Sequence, residues 1–294
     1  MLQRVTKLEP GLRRVLAPNP SPMTQAGTNT YLLGGDDGLA VIDPGPDDSV
    51  HLDLVMRTIG RARVSHILVT HSHLDHSAMA PRLADRTGAP VLAFGSPEMG
   101  RSPRMAQLAT TMPLGGGEGA DTTFRWDRRL EDGAIVEGAE WTLRVLWTPG
   151  HYGNHLCFAW NDRIFTGDLV MGWATSIVSP PDGDMAQYLA SCERLARQSA
   201  SVLFPGHGDP VTDPADRIAW LIAHRKAREA QVLKHLRGGP ADAETLARAI
   251  YTDTPAALIP AATRNVLAHL LDLHERGRVA ADPHPGPTAS FALR

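Results

Sequence analysis

The chain has 294 residues, of which 43% are hydrophobic and 21% charged, and a formal net charge of −3. This is ordinary globular composition, long enough to bury a sizeable core as one large domain plus a small one. So small a negative charge excludes a general attraction to nucleic acid or to an anionic membrane. The first residues, Met1 to Thr6, carry no apolar core of signal-peptide length, and no segment reaches transmembrane length. The expected setting is therefore the cytoplasm, with no membrane partner. Pro18-Asn19-Pro20-Ser21-Pro22 breaks any regular element. Short apolar runs predict strands over 31–33 and 39–42, followed by a helical pattern over 49–59. A further strand over 67–69 leads into Thr70-His71-Ser72-His73-Leu74-Asp75-His76, with a helix expected from near Ser77 to residue 87.

His71, His73, Asp75 and His76 are all metal-ligating types. Neutral imidazole suits borderline metals such as zinc, and a carboxylate can complete the shell. They are more than one tetrahedral ion needs, so the cluster predicts two neighbouring ions. A stiff strand end suits the task, because ligand geometry must be set before the ion arrives. Beyond a strand over 91–93, the glycine-rich stretch 113–119 reads either as a border of the substrate cleft or as a surface insertion.

Three later apolar runs stop at glycine and present His or Asp straight afterwards. They are the strand 143–146 leading to Trp147-Thr148-Pro149-Gly150-His151, then Ile164-Phe165-Thr166-Gly167-Asp168, then Val202-Leu203-Phe204-Pro205-Gly206-His207. Glycine there allows a sharp turn and a close backbone approach. His155 reads either as a packed residue or as a group that orients a ligand or touches substrate. Cys157 and Cys192 read as buried free thiols of a reducing compartment. His51, His66, His235, His269, His274 and His284 lack ligand-type neighbours and read as packed or solvated. The loop 173–184, before a helix over 185–197, is expected to line the pocket with hydroxyls and the Trp173 indole.

From Asp213 onward the pattern is helical. Asp213 as N-cap and Pro214 in the first turn start a helix to about Leu236, with an apolar stripe of Ile218, Leu221, Ile222, Val232, Leu233 and Leu236. Further helices are expected over 242–251 and about 255–275, then a hairpin of 278–281 and 289–293. Three helices and a hairpin resemble a winged helix. The final segment, 238–294, has five basic residues against six acidic ones, so it lacks the basic surplus of a helix that reads a duplex. Arg217, Arg225, Lys226, Arg228, Lys234 and Arg237 face only Glu229. They form either a solvated helix face or a basic face beside the active site, and Arg225, near the stripe, could pair with a carboxylate of the catalytic domain.

The order His-x-His-x-Asp-His, then His, Asp and His, resembles the metallo-β-lactamase-fold hydrolases over roughly residues 25–212, the segments 29–33 and 41–45 resembling the family's opening hairpin. The resemblance implies an α/β fold, an αββα sandwich over 1–212, with a winged-helix-like α domain over 213–294. It implies His71, His73 and His151 on a first metal, Asp75, His76 and His207 on a second, and Asp168 bridging. The metal is expected to be zinc, two per chain, with manganese or iron(II) as alternatives. An aspartate at the bridge points away from true β-lactamases, toward the glyoxalase II, lactonase, thioesterase and nuclease branches. The C-terminal module narrows the resemblance to the β-lactamase-like protein 2 group, which contains an endoribonuclease, and to related polyketide thioesterases.

Two cations would make a shared water nucleophilic near neutral pH and polarise the electrophile, with Asp75 taking the proton. The charge balance favours a small acyl ester or thioester, a lactone included. Single-stranded RNA is the alternative, and a degenerate, non-catalytic binding scaffold is opposed by the complete ligand set. A homo-oligomer fits the sequence as well as a monomer does.

Overall fold

The computed structural model describes residues 4–111 and 119–294. Its first sheet runs in strand order through β1 (Val5–Glu9), β2 (Leu12–Leu16), β3 (Asn29–Leu33), β4 (Leu39–Ile42), β5 (Val64–Leu68), β6 (Val91–Ala93) and β7 (Arg128–Arg129). The first four strands pair antiparallel and the last four parallel, the change occurring at β4. The second sheet holds β8 (Ile135–Glu137), β9 (Thr142–Trp147), β10 (Leu156–Trp160), β11 (Arg163–Gly167) and β12 (Val202–Pro205), antiparallel except for the last pair.

Alternate residues of these strands face different layers, which is the period-two consequence of the pleat. Tyr31, Leu33, Ile42, Leu68 and Leu92 of the first sheet meet Val145, Leu156, Phe158, Phe165 and Phe204 of the second in one core. The opposite face of the first sheet packs against α1 (Ser49–Ile59) and α3 (Ala80–Thr87) through Val41, Val55, Ile67, Leu83 and Val91. Behind the second sheet lies α5 (Met185–Ala196), whose Tyr188, Cys192 and Leu195 pack on Leu146, Cys157 and Leu203. The result is the expected αββα sandwich.

The helices begin and end where local chemistry says they should. Asp48 caps α1 by accepting the His51 N–H, and Asp184 caps α5 by accepting from Ala186 and Gln187. Asp213 caps α6 (Pro214–Leu236), with Pro214 in its first turn. The helix expected from Ser77 starts earlier. A four-residue turn, α2 (Leu74–Ser77), places Asp75 and His76 inside a helix, and α3 follows after a break. The N-terminal hairpin β1–β2 has no counterpart among the predicted strands, since its short run mixes Lys, Arg and Glu with the apolar residues. The glycine-rich stretch expected near the cleft lies outside the described residues except for Gly119, whose carbonyl accepts the Leu74 N–H. A short helix, α4 (Pro103–Ala109), precedes it.

The C-terminal part consists of α6, α7 (Ala243–Ile250), α8 (Ile259–Glu275) and the antiparallel hairpin β13 (Val279–Asp282)–β14 (Ser290–Leu293). A 3-10 turn, Ala256–Leu258, occupies the expected first turn of α8. Val232, Leu236, Leu246, Val266, Leu270, Val279 and Phe291 form its own core, which Met105 and Leu108 of α4 join. The stripe of α6 divides its work: Ile218 and Leu221, with Ala268 of α8, pack into the core of the sandwich behind α5. The winged helix is thus fastened to the sandwich by buried apolar surface, worth roughly 25 cal/mol per Å² removed from water.

Candidate metal centre and substrate pocket

All seven predicted ligands sit where strands end, on one rim of the sandwich, and all are buried. His71 and His73 follow β5, Asp75 and His76 occupy α2, His151 follows β9, Asp168 follows β11 and His207 follows β12. They fall into two groups whose ligand atoms lie within 4.8 Å of one another: His71, His73, His151 and Asp168, and then Asp75, His76 and His207. Asp168 reaches across, with Oδ1 3.5 Å from His76 Nε2 and Oδ2 3.3 Å from His207 Nε2 and 3.6 Å from His151 Nε2. Gly206 permits this approach, because a Cβ there would stand 2.4 Å from Asp168 Oδ1.

The hydrogen bonds behind the rings determine which nitrogen each presents. His151 Nδ1–H donates to the Ile177 carbonyl at 2.7 Å, so its Nε2 lone pair faces the cluster. His76 Nδ1–H donates to Asp43 Oδ2 at 2.8 Å. Thr70 donates its hydroxyl to the same oxygen at 2.8 Å and can then accept only from His71 Nδ1–H, 3.0 Å away. His207 Nδ1 faces the Gly27 carbonyl at 3.3 Å. These bonds turn the Nε2 atoms of His71, His76, His151 and His207 inward, an arrangement seen when outer partners orient metal ligands.

The inward nitrogens then crowd one another. His71 Nε2 lies 2.9 Å from His73 Nδ1, which lies 3.2 Å from His151 Nε2, and His76 Nε2 lies 3.3 Å from His207 Nε2. Facing lone pairs repel unless a cation or a proton stands among them. Asp75 Oδ1 and Asp168 Oδ1 are buried without a hydrogen-bond partner, a costly state for a carboxylate oxygen. Converging nitrogen donors with two orphaned carboxylate oxygens fit a pair of divalent cations.

Electrostatics separates the two groups. Burial, reinforced by neighbouring rings, holds His71 well below its ordinary range and lowers His73 to about 3, and burial also lowers His151. These rings stay neutral, the form that ligates. Burial also opposes charge on His76 and His207, but Asp75 and Asp168, with Asp43 beside His76, outweigh it and raise both. His155 neither reaches the pocket nor joins a group. It is buried, bonds Thr148 Oγ1 at 3.0 Å, and accepts the Asp168 N–H at 3.2 Å, so it holds the backbone that presents Asp168.

Sequence reasoning missed Asp43, which accepts the Thr70 N–H at 2.7 Å besides the two bonds above, and Thr28, whose hydroxyl donates to Asp75 Oδ2 at 2.9 Å. Asp43 adopts φ 51°, a left-handed conformation that Asp tolerates better than most residues. An aspartate followed by Pro44-Gly45 at a strand end was the available signal.

A cavity of about 250 Å³ opens onto the cluster at His73, His151, Asp168 and His207. The sandwich lines it with Met23, Met171, Trp173, Thr175 and Ile177, and the C-terminal helices close it with Tyr251, Leu258, Ala261, Ala262 and Asn265. The loop 173–184 therefore contributes its indole and only one hydroxyl, against the expectation of several. Ser176 turns its hydroxyl away, to the Asp168 and Leu169 carbonyls. Arg225 is buried and meets backbone and amide oxygens, not the carboxylate that was one alternative: it donates to Asn265 Oδ1 at 3.1 Å and to the Ser176 carbonyl. Arg217 likewise binds the Met171 and Ala174 carbonyls, at 2.7 and 2.6 Å.

The comparisons agree with this architecture. Residues 23–207 match the metallo-β-lactamase superfamily and residues 243–285 the β-lactamase-associated winged helix domain. The chain is 32% identical to a β-lactamase-like protein 2 homolog of Drosophila melanogaster, over 95% of this chain and 93% of that one. It is 30% identical to an atrochrysone carboxyl ACP thioesterase of Aspergillus fumigatus, over 92% and 79%. A metallo-β-lactamase family protein of Thermus thermophilus superposes with a TM-score of 0.79 at 28% identity, covering 98% of this chain and all of that one. With a strand-end His/Asp cluster in an αββα sandwich and a matching C-terminal module, this chain belongs to the metallo-β-lactamase superfamily and is one of its winged-helix hydrolases.

Proposed function

We propose that this protein is a dinuclear metal hydrolase of uncharged acyl thioesters, with acyl esters and lactones as related substrates. His71, His73 and His151 would hold one cation, Asp75, His76 and His207 the other, and Asp168 would bridge them. The imidazole-rich donor set favours zinc, with manganese or iron(II) as alternatives. Such a pair supplies a nucleophilic water near neutral pH and polarises the acyl carbonyl. Every other part of the reaction falls to the chain. Met23, Met171, Trp173, Ile177 and Leu258 take the acyl group and exclude water around it. Asp75 Oδ1, without a hydrogen-bond partner, accepts the proton as water attacks.

The observation that carries this reading is the charge of the cavity wall. Among the described residues that line it no Lys or Arg appears, and the ionisable side chains are those of the cluster and Tyr251. A site for a polyanion needs a basic track, and phosphate contacts supply most nucleic-acid affinity. Of the α6 cations, Arg217 and Arg225 are committed to backbone carbonyls, and Arg228 lies over the Tyr251 ring and donates to Gln231 and the Ile250 carbonyl. The thioesterase among the relatives supports the same class. A reducing compartment such as the cytoplasm fits the two buried, unpaired cysteines.

The test is a side-by-side assay of metal-loaded protein on an acyl-thioester and lactone panel and on a labelled single-stranded RNA, at low and moderate salt. Thioester turnover that is abolished by Asp75→Ala supports the proposal. Metal-dependent RNA cleavage, likewise lost in Asp75→Ala and without thioester or lactone turnover, overturns it.

A further inference from the structure

We propose that Asn265 of the winged helix and Arg225 of α6 are positioning residues of the metal centre and act through the segment 176–178 of the hydrolase. The inference rests on the reading of His151 as a ligand. His151 is aimed by one bond, from its Nδ1–H to the Ile177 carbonyl at 2.7 Å. That carbonyl and the Val178 N–H belong to a single peptide unit, which is planar and stiff. The Val178 N–H donates to Asn265 Oδ1 at 3.0 Å. Gripping the N–H end of the plane therefore sets the direction of the carbonyl at the other end, and with it the ring.

Asn265 is itself held. Its Nδ2 donates to the Ala261 carbonyl at 3.2 Å, and its Oδ1 also accepts from Arg225 at 3.1 Å. The second guanidinium nitrogen of Arg225 grips the preceding carbonyl, that of Ser176. Ser176 in turn donates its hydroxyl to the carbonyl of Asp168, the bridging candidate. Three consecutive residues thus join two ligand-bearing segments to α6 and α8. Arg225 lies over the Tyr188 ring at 5.2 Å and has no carboxylate within ion-pairing distance among the described residues. A buried cation is costly unless it is bonded; here Nη1 and Nη2 donate to groups of the brace, while Nε has no hydrogen-bond partner. The winged helix therefore completes the metal centre as well as walling the cavity.

The experiment uses the full-length chain with Co²⁺ as probe, reading cobalt stoichiometry, loss to a competing chelator and the visible absorption bands. Asn265→Ala removes the acceptor, Asn265→Asp keeps it while giving up the Nδ2 bond to Ala261, and Leu246→Ala loosens the core of the winged helix without touching the brace. We expect Asn265→Ala to release cobalt from one site about tenfold more readily, as when an outer partner of a ligand is lost, with altered bands. Asn265→Asp should restore both readouts, and Leu246→Ala should lower Tm and leave them at wild type. If Asn265→Ala is insoluble, Asn265→Gln, which keeps the amide at the wrong reach, is read the same way. Wild-type cobalt retention and bands in the Asn265 variant overturn the brace, as does an equal loss in Leu246→Ala. Failure of the wild type to take up two equivalents removes instead the metal reading beneath it.

Discussion

Replacing Asp43 by Asn tests the orientation argument at its most exposed point. Asp43 is 2% exposed and receives three hydrogen bonds: Oδ1 from the Thr70 N–H, Oδ2 from the Thr70 hydroxyl and from His76 Nδ1–H. Asn is almost the same size, so no cavity forms and the backbone bond to Thr70 survives. What changes is the other end of the side chain, where an NH2 group now meets His76 Nδ1–H. Two donors cannot share that contact. The cheapest relief is for His76 to move its proton to Nε2 and accept at Nδ1, which removes the lone pair aimed at Asp75, Asp168 and His207. The fold should lose about 1–3 kcal/mol for each of the two bonds that end on Oδ2, from the Thr70 hydroxyl and from His76 Nδ1–H, the usual cost of a spoiled buried hydrogen bond to a charged group. Metal affinity at the Asp75–His76–His207 group should fall about 10–100-fold. Competition titration with a metal-sensitive chelator resolves the two sites, and thermal melts of the metal-free protein give the stability term. Unchanged affinity at both sites, with the protein folded, would refute the claim that Asp43 sets the His76 tautomer.

Three further outcomes follow from the geometry. Asp168→Asn should lower bound metal from two equivalents toward one and reduce turnover by at least about 100-fold, since a bridge and its charge disappear together; elemental analysis returning two equivalents would count against bridging. Leu258→Trp, at a half-buried wall position, should lower kcat/KM about tenfold for bulky acyl thioesters and leave acetyl thioesters nearly unchanged, a size discrimination of about 1.4 kcal/mol; an equal loss on both would remove Leu258 from the acyl pocket. Cys157 and Cys192 should be inert to a thiol reagent in the native protein and reactive in denaturant, because burial pushes each thiol up to about 12; fast native labelling would contradict that.

Much of the fold was legible because its signals are local. Strands such as 39–42 and 91–93 are buried on both faces and so read as unbroken apolar runs. The caps Asp48, Asp184 and Asp213 mark helix starts within a few residues. The seven clustered side chains were equally visible, since each follows a strand end and four of them crowd one motif. The hairpin β1–β2 was not visible, because a half-buried edge strand with charged residues has no apolar run to betray it.

Sequence alone therefore determined which side chains could gather around metal and which layers would hold them. Tertiary structure decided how those side chains are aimed and what reaches them. His151 is steered by a backbone carbonyl at Ile177, and a carbonyl has no letter in the sequence. Asn265 looks like an ordinary helix residue, and Arg225 shows only a charge near the apolar stripe, until α6 and α8 bring them within reach of the segment 176–178. The basic stretch of α6 could have been a phosphate track, and only its placement showed two of its arginines spent on loop carbonyls. The cavity wall joins residues more than 200 positions apart, Met23 and Asn265 among them. Such contacts depend on how separate surfaces close over each other, and no local pattern in the chain encodes that.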